Sequence, residues 1–382
     1  LPFLTKHLGQ RRSWLIASQS ILIVTLLVFA GIDIASHLFL TGFLAMILSF
    51  AAATHWTVML AYQVECFGRR QYGPAEGVNI LGYRLGMLLS GAGALYLSQL
   101  MSWPFAYGMM ALCIGIAFLT TLIIDEPQRV ESEQTRLQEE KIQEYFAKYG
   151  QGKERFFRFF AWIYASVICP FLNFKTKEKW FLLLVLMFIY KLGDNLIGSM
   201  ANIFYLDLGF SKIDIANVSK LFGMATSILG GLLGGALIVR WGFLKSLYIN
   251  AILHMLATLM YVVMAYAGHD LFMLYLSIAI EHITSGMRTT SLLSYQLVLC
   301  TPAYASTQLA LMASFVSLGR TCISPFSGFL AQILGWKIFF ILATLGSLPA
   351  IILVGYLRKK NKNNDQENEN KSASQGVIAK PA

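Results

Sequence analysis

The sequence predicts an all-α membrane protein with about ten transmembrane helices. Of its 382 residues, 56% are apolar and only 13% are charged, about half the charged share of an average globular domain. Apolar runs long enough to cross a bilayer recur along the chain. They cover residues 13–30, 37–62, 78–100, 104–124, 180–206, 216–239, 246–267, 271–299, 306–334 and 337–357. Glycines inside these runs, as at Gly230-Gly231 and Gly234-Gly235, favour close contact between helices in lipid.

The distribution of basic residues predicts which side of the membrane each loop faces. The formal net charge is +10, and Lys and Arg cluster before the first run, after the second, around residues 240–245 and after residue 357. The intervening loops carry almost none, so we expect both termini in the cytoplasm. In a chain this apolar, the basic excess marks cytoplasmic loops, and nucleic acid is not an expected partner.

The same pattern divides the chain into four parts. Residues 1–124 are predicted to be a truncated N-terminal bundle, 125–179 a charged cytoplasmic linker, 180–357 a six-helix C-terminal bundle, and 358–382 a disordered cytoplasmic tail. Within the linker, 131–148 is predicted to be a solvated helix. Residues 159–174 are apolar, flanked by basic residues and interrupted by Pro170, which predicts a helix lying in the membrane interface.

Residue types that carry catalysis or bind metals lack the spacing that such sites require. The five cysteines and six histidines show neither a disulfide framework nor a metal-ligand motif. No phosphate-binding loop of the G-x-x-x-x-G-K-[ST] type occurs, which disfavours an ATP-driven pump. The sequence therefore predicts a non-enzyme without a cofactor or a metal.

Two matches at nearly the same spacing indicate an internal duplication. Residues 7–12 match 240–245, with Gly9 aligned to Gly242, and residues 81–91 match 318–328. Such parallel duplicated bundles are typical of transporters. In the second half of the duplication, two predicted helices precede Gly242. In the first half, only eight residues precede the matching Gly9. We therefore expect four plus six helices where the duplication implies six plus six, with the first two helices missing from a chain that begins at Leu1.

Four ionisable residues inside the C-terminal helices are candidate substrate-binding or coupling groups. A charge inside a membrane span is costly and normally marks a pathway or a pair. Lys191 and Asp194 are three residues apart on one predicted helical face, and Glu281 and Arg288 are seven apart on another. Arg288 suits bidentate capture of a carboxylate. For both pairs, a purely internal ion pair is the alternative interpretation.

The duplicated bundles and several longer strings resemble a known family. The basic glycine turn from Gly235 to Lys245 resembles the loop motif of the major facilitator superfamily. The strings at 81–91, 190–194 and 306–311 are similar to those of the AmpG-type muropeptide permeases, as are 206–211 and 281–287. The resemblance implies proton-driven import of a small anionic glycopeptide, N-acetylglucosaminyl-anhydromuramyl peptide, by a monomer in the bacterial inner membrane.

Two features depart from that family's pattern. Where the family typically has two Asp four residues apart, then an aromatic-basic pair and an acid, this chain has Trp56, Leu60, Gln63 and Glu65. Only Glu65 keeps the acid, and Arg288 stands where the family usually has Gly. Two alternatives therefore stay open: a transporter of the same fold for another small anion or sugar conjugate, and a non-transporting degenerate paralogue.

Further candidates follow from residue type and position. Glu65 joins the candidate coupling groups. Stacking on a sugar face is a candidate role, beside ordinary packing, for Trp56, Tyr62, Tyr190 and Tyr295. A proton relay is a candidate role, beside that of a neutral hydrogen-bonded imidazole, for His55, His254 and His282. A structural or gating role is predicted for the repeat-related pair and four loop residues: Arg84, Arg320, Arg11, Arg12, Arg240 and Lys245.

Overall fold

The computed structural model describes residues 9–32, 36–127 and 168–360, and within these ranges it contains helices and no strand. The first helices are α1 (Gln10–Gly31), α2 (Leu38–Cys66), α3 (Tyr72–Leu88), α4 (Ala94–Leu100) and α5 (Trp103–Ile123). A 3₁₀ turn, Arg69–Gln71, precedes α3, and a π-helical segment, Leu89–Gly93, continues α3 into α4. Helix α1 packs against both α2 and α5.

The second set of helices follows residue 168. It comprises α6 (Cys169–Lys175), α7 (Trp180–Ile189), α8 (Leu192–Asp207), α9 (Lys212–Ile215), α10 (Gly223–Trp241), α11 (Phe243–Ala267), α12 (Leu271–Leu299), α13 (Ala305–Leu345) and α14 (348–360). A π-helical segment, Ala216–Phe222, joins α9 to α10. Glycine at 335, with φ of +69°, kinks α13.

Eight helical stretches within the described residues are long and apolar enough to cross a membrane. Helix α12 is not among the eight, although its 29 residues exceed the length of a span; it carries Glu281 and Arg288. The stretch Ala305–Lys360 counts once among the eight, but Gly335 divides it. When α12 is added and Ala305–Lys360 is counted as two stretches, each of the ten predicted runs corresponds to a helical stretch of the described residues.

One predicted helix starts earlier than expected, and one predicted run has its expected bounds but is interrupted inside. The run predicted at 180–206 is interrupted at Tyr190 and Lys191, where Lys191 has φ of −108° and ψ of 16°. Helix α3 begins at Tyr72 rather than at residue 78, so polar residues of its first turns belong to the helix. Pro170 lies in the first turn of α6, where a proline is tolerated.

The described residues form two compact units. The first unit lies within residues 1–75, 81–177 and 296–311, and the second within 76–80, 178–295 and 312–382. In the first unit α6 is joined to the start of α13 and to the segment before it, because Asn173 Oδ1 accepts hydrogen bonds from Thr301 Oγ1 at 2.8 Å and from Gln308 Nε2 at 3.0 Å. The predicted solvated helix at 131–148, most of the predicted interfacial helix at 159–174 and the tail beyond residue 360 lie outside the described residues.

In the second unit, α10 and α12 pack backbone against backbone. A Cβ atom on Gly230 would overlap the carbonyl of Ile283, and one on Gly286 would overlap the carbonyl of Ser227. The close contact predicted for the Gly230-Gly231 and Gly234-Gly235 pattern is confirmed. This packing fixes the face of α12 from which Thr284 and Arg288 project.

Candidate substrate and coupling site

A cavity of about 410 Å³ lies within the second unit. Seven of its nine lining residues are polar or charged, and the lining comes from the α8 region and α13: Lys191, Asp194, Asn195, Gly198, Ser199, Val316, Ser317, Arg320 and Ser324. Two cationic side chains and one acidic side chain thus face a space large enough for a small ligand.

Asp194 is the centre of a charged cluster that joins three helices. It lies in the first turn of α8, where the helix dipole favours a negative charge. Its Oδ1 accepts a hydrogen bond from Nη1 of Arg288 on α12, and it lies 3.0 Å from Nε2 of His254 on α11. The side chain of Asp194 is 20% exposed, whereas those of Arg288 and His254 are 1% exposed.

The local sequence explains how Asp194 reaches this position. The break at Lys191 lets α8 start again beside α13, and Gly193 lies so close to Ala343 and Ser347 that a Cβ atom would be 2.6 Å from each. Tyr190, fully buried at the break, donates its hydroxyl to the carbonyl of Leu247 at 3.1 Å.

Arg288 packs its guanidinium over the ring of Tyr190, with 4.6 Å between the guanidinium carbon and the ring centroid. This cation–π contact offsets part of the cost of burying the charge. Its Nη1 binds Asp194, but its Nε and Nη2 have no hydrogen-bond partner among the described residues. Arg288 therefore holds unused donors next to a carboxylate, and Tyr190 has a packing role here rather than an exposed stacking face.

One of the two ion pairs predicted from sequence is rearranged in the structure, and the other gains a further contact. Glu281 was expected to face Arg288 along α12, but its Oε2 lies 2.5 Å from Nδ1 of His282, while Arg288 binds Asp194. Lys191 precedes α8 and its Nζ donates to Oγ1 of Thr289 at 3.1 Å, while Lys191 and Asp194 line the same cavity. For Arg288, a contact across the bundle replaces the predicted pairing along α12.

Arg320 was predicted to be structural or gating, and the structure places it on the cavity wall with Lys191 and Asp194. Its repeat counterpart Arg84 lies in the first unit, 6.0 Å from the ring centroid of Tyr83, with a buried Nε that has no described partner. Trp56 makes an edge contact with the same Tyr83 ring at 6.1 Å. The two arginines thus differ in their surroundings despite their matching positions.

Glu65, a candidate coupling residue, is bound to Arg11 in the first unit. Arg11 Nη2 lies 2.5 Å from Glu65 Oε1, its Nε donates to both carboxylate oxygens, and its Nη1 donates to Ser306 Oγ at 2.6 Å. The backbone N–H groups of Arg11 and Arg12 donate to the carboxylate of Glu126, which caps α1. These contacts support the structural role predicted for Arg11 and leave Glu65 paired.

The remaining candidates lie apart from the cavity. Arg12 donates from Nη2 to the carbonyl of Leu122 at 2.7 Å. Arg240 is exposed in the last turn of α10, and Lys245 lies 5.8 Å from the ring centroid of Trp241. Of three further ring residues, Tyr62 donates its hydroxyl to the Asp125 carbonyl, His55 lies 3.4 Å from Ser18 Oγ, and Tyr295 is buried.

Glu76 was not singled out in the sequence, yet it is fully buried. Its Oε2 accepts a hydrogen bond from Asn79 Nδ2 at 3.1 Å, and its Oε1 has no described partner. The sequence feature that could have revealed Glu76 is an acidic residue beside an apolar run. That run was predicted to begin at residue 78, so Glu76 was expected to lie in a loop.

No group of three or more metal-binding side chains occurs among the residues that the structure describes. The charged cluster around Asp194 contains one carboxylate, one imidazole and one guanidinium in direct contact. Such a cluster can bind an anion through its cationic groups, and its imidazole and carboxylate are groups that can carry a proton.

Comparison with known proteins agrees with this architecture. A sequence model of the Major Facilitator Superfamily matches residues 2–280 and 183–381. Among solved structures, the human organic anion transporter MFSD10 is similar with a TM-score of 0.66 and 14% identity, covering 92% of this chain and 78% of that one. The proton:xylose symporter XylE is similar with a TM-score of 0.66 and 13% identity, covering 93% and 81%. The fold and the matched model together define a multi-pass transporter of the major facilitator superfamily.

Curated relatives narrow the class further. "Putative transporter AmpG 4" of Rickettsia felis is 30% identical over 362 residues, which is 94% of this chain and 82% of that protein. "Putative transporter AmpG 1" of Rickettsia prowazekii is 29% identical over 378 residues, which is 94% of this chain and 85% of that protein. This chain therefore belongs to the AmpG-type transporters of the major facilitator superfamily.

Proposed function

We propose that this transporter imports muropeptides, N-acetylglucosaminyl-anhydromuramyl peptides, together with protons. It does so as a monomer in the bacterial inner membrane with both termini in the cytoplasm. The relatives named AmpG support the type of cargo, and the basic loops support the orientation. Reporters fused to each end of the full chain test the orientation, and opposite sides for the two ends would contradict it.

The observation that carries the proposal is the cationic cavity of the second unit. Lys191 and Arg320 line it together with Asp194, whose charge is already balanced by Arg288. Two cations facing a polar space suit the carboxylates of a peptide-bearing cargo, because charge-assisted hydrogen bonds are the strong ones. The cavity therefore favours an anionic cargo over a neutral sugar.

Uptake into proteoliposomes tests the proposal. Labelled anhydro-muropeptide should accumulate when an inward proton gradient is imposed and should stop accumulating when the gradient is dissipated. Lys191→Gln and Arg320→Gln should each raise KM with little change in kcat, because they remove attraction for a bound anion. The matched controls are Lys359→Gln and Arg70→Gln, two exposed positions outside the cavity lining, and both should behave like wild type.

A smaller anion or sugar conjugate is the second candidate cargo. The cavity volume of about 410 Å³ is near the lower end of the usual 300–1,000 Å³ range for ligand pockets. Competition against labelled uptake, and thermal stabilisation of the purified chain by candidate anions, distinguish the two cargoes. Stabilisation by a small anion but not by muropeptide would favour the second candidate. A chain that moves neither would support the degenerate paralogue.

A further inference from the structure

We propose that a single exchangeable proton resides in the contact between Asp194 and His254, and that this proton is the one coupled to transport. The position of the proton follows from hydrogen-bond geometry alone. Its role in coupling rests on the proposed function. The two statements are therefore tested separately below.

The tautomer of His254 is set by Thr284. Nδ1 of His254 lies 3.1 Å from Thr284 Oγ1. That hydroxyl has one hydrogen, and its oxygen lies 2.9 Å from the carbonyl oxygens of both Ile280 and Glu281 on its own helix. Helical threonines donate to such carbonyls. The Thr284 oxygen is then left to accept, so Nδ1 of His254 carries a hydrogen and donates it.

The other nitrogen of His254 then requires a second proton. In a neutral imidazole with a hydrogen on Nδ1, Nε2 presents a lone pair. Nε2 lies 3.0 Å from Oδ1 of Asp194, and a lone pair facing a carboxylate at that distance is repulsive. The contact becomes a hydrogen bond only if a proton lies in it, either on the imidazole or on the carboxyl group. One removable proton is present in both cases.

Arg288 decides which of the two groups holds the proton. Its Nη1 donates to the same Oδ1 of Asp194 that faces His254. A guanidinium in contact favours the charged carboxylate, so the proton belongs to His254 as an imidazolium. When the proton leaves, Arg288 still balances Asp194. The pair can therefore lose and regain a proton without leaving a buried carboxylate uncompensated.

Other charged groups near the pair set the direction of the coupling. Lys191 and Arg320 face the cavity beside Asp194, and Glu281 with His282 lies on α12 close to Thr284. The protonated cluster of Asp194, His254 and Arg288 carries one net positive charge, and the two cavity cations add to it. An anionic cargo in the cavity offsets this repulsion. Cargo binding and proton binding should thus strengthen each other, as linkage requires.

In the described part of the chain, the cavity gives access to the proton through Asp194. His254 is 1% exposed, whereas Asp194 is 20% exposed and lines the cavity. Buried donors on Nε and Nη2 of Arg288 have no partner among the described residues. A cargo carboxylate in the cavity therefore approaches the proton-bearing pair through Asp194, with Arg288 buried behind it.

Nitrogen NMR of the full chain labelled with isotopic histidine tests the position of the proton. At neutral pH, the signals that disappear in His254→Gln should show hydrogens on both ring nitrogens. In Thr284→Val, which removes the acceptor, this pattern should change while the chain stays folded. A neutral His254 with its only hydrogen on Nε2, for which Thr284 would donate to Nδ1, overturns the proposal.

Two transport assays test the coupling. Exchange of labelled for unlabelled cargo needs no net proton movement, so His254→Gln should retain exchange and lose gradient-driven accumulation. His269→Gln, an exposed histidine between α11 and α12, should keep both. Accumulation by His254→Gln at the wild-type level overturns the coupling role. A wild-type chain that neither exchanges nor accumulates the cargo instead refutes the proposed function, and the NMR result still decides where the proton lies.

Discussion

Asp194 and Arg288 form an ion pair that joins the start of α8 to the middle of α12, and His254 of α11 touches the same carboxylate oxygen. Both Arg288 and His254 are almost fully buried. Asn250 of α11 adds a second contact to α12, since its Nδ2 donates to Ser291 Oγ at 2.7 Å. The three helices are thus held together by polar contacts at the level of the cavity.

Removal of one partner should destabilise the chain more than removal of both. Asp194→Asn leaves Arg288 charged and buried, and breaking a buried pair in this way costs about 3–5 kcal/mol. The double variant Asp194→Asn/Arg288→Met removes the uncompensated charge and should recover part of that loss. Thermal unfolding of the detergent-purified chain, measured for wild type, both single variants and the double variant, gives the coupling between the two positions. Additive losses would contradict a direct pair.

The sequence predicted the members of this cluster but not their partners. Lys191, Asp194, Glu281 and Arg288 stand out as charges in apolar runs, and that signal needs only composition. Their predicted pairing relied on spacing along one helix, and it was wrong for Glu281 and Arg288, because Arg288 binds Asp194 on another helix. Partner choice depends on how α8, α11 and α12 pack, and no local pattern encodes that packing.

Arg320 and Glu76 are two further residues whose surroundings could not be predicted from local sequence. Repeat symmetry assigned Arg320 the same role as Arg84, but only Arg320 lines the cavity described in the second unit. Glu76 was missed because its helix starts at Tyr72, six residues before the apolar run was placed to begin. The number and positions of the helices, by contrast, follow from hydropathy, because lipid admits so few backbone structures.

The contact between α10 and α12 should be sensitive to a single methyl group. Gly230→Ala would place its Cβ atom on the carbonyl of Ile283, and relief of the overlap requires a backbone shift that costs about 1–3 kcal/mol. Gly115→Ala in α5 is the control, because no atom lies within 4 Å of a Cβ placed there. Thermal unfolding should show a lower Tm for the first variant only. Equal behaviour of the two variants would argue against backbone contact.

Glu65 should behave as a structural partner of Arg11 rather than as a coupling residue. Their side chains are 6% and 12% exposed, respectively, so Glu65→Gln or Arg11→Gln alone should cost about 3 kcal/mol. Arg11→Gln/Glu65→Gln should cost less than the sum of the two. The proton dependence of uptake by folded Glu65→Gln should match wild type. If Glu65→Gln loses gradient-driven uptake but retains exchange, Glu65 is a coupling residue after all.

Gly9 and Gly242, the aligned glycines of the duplication, adopt nearly the same backbone conformation. Gly9 has φ of 83° and ψ of 173°, Gly242 has φ of 79° and ψ of 168°, and each precedes a long helix. This region of φ and ψ is essentially restricted to glycine, and another residue in it costs about 1–3 kcal/mol. The two positions differ in their surroundings: a Cβ on Gly9 would overlap the Glu126 side chain, whereas no atom lies within 4 Å of one on Gly242.

The difference in surroundings makes the pair a controlled test of backbone strain. Gly242→Ala should lower stability through its backbone conformation alone. Gly9→Ala should lower it further, because it also displaces the carboxylate that accepts from the N–H groups of Arg11 and Arg12. Loss of a helix cap adds about 0.5–2 kcal/mol. Glu126→Gln isolates that second contribution, and Gly82→Ala, in open space within α3, should leave stability unchanged or slightly improved. If Gly242→Ala and Gly82→Ala have the same Tm, Gly242 does not adopt a positive φ in the folded protein. If Gly9→Ala costs no more than Gly242→Ala, Glu126 does not cap α1.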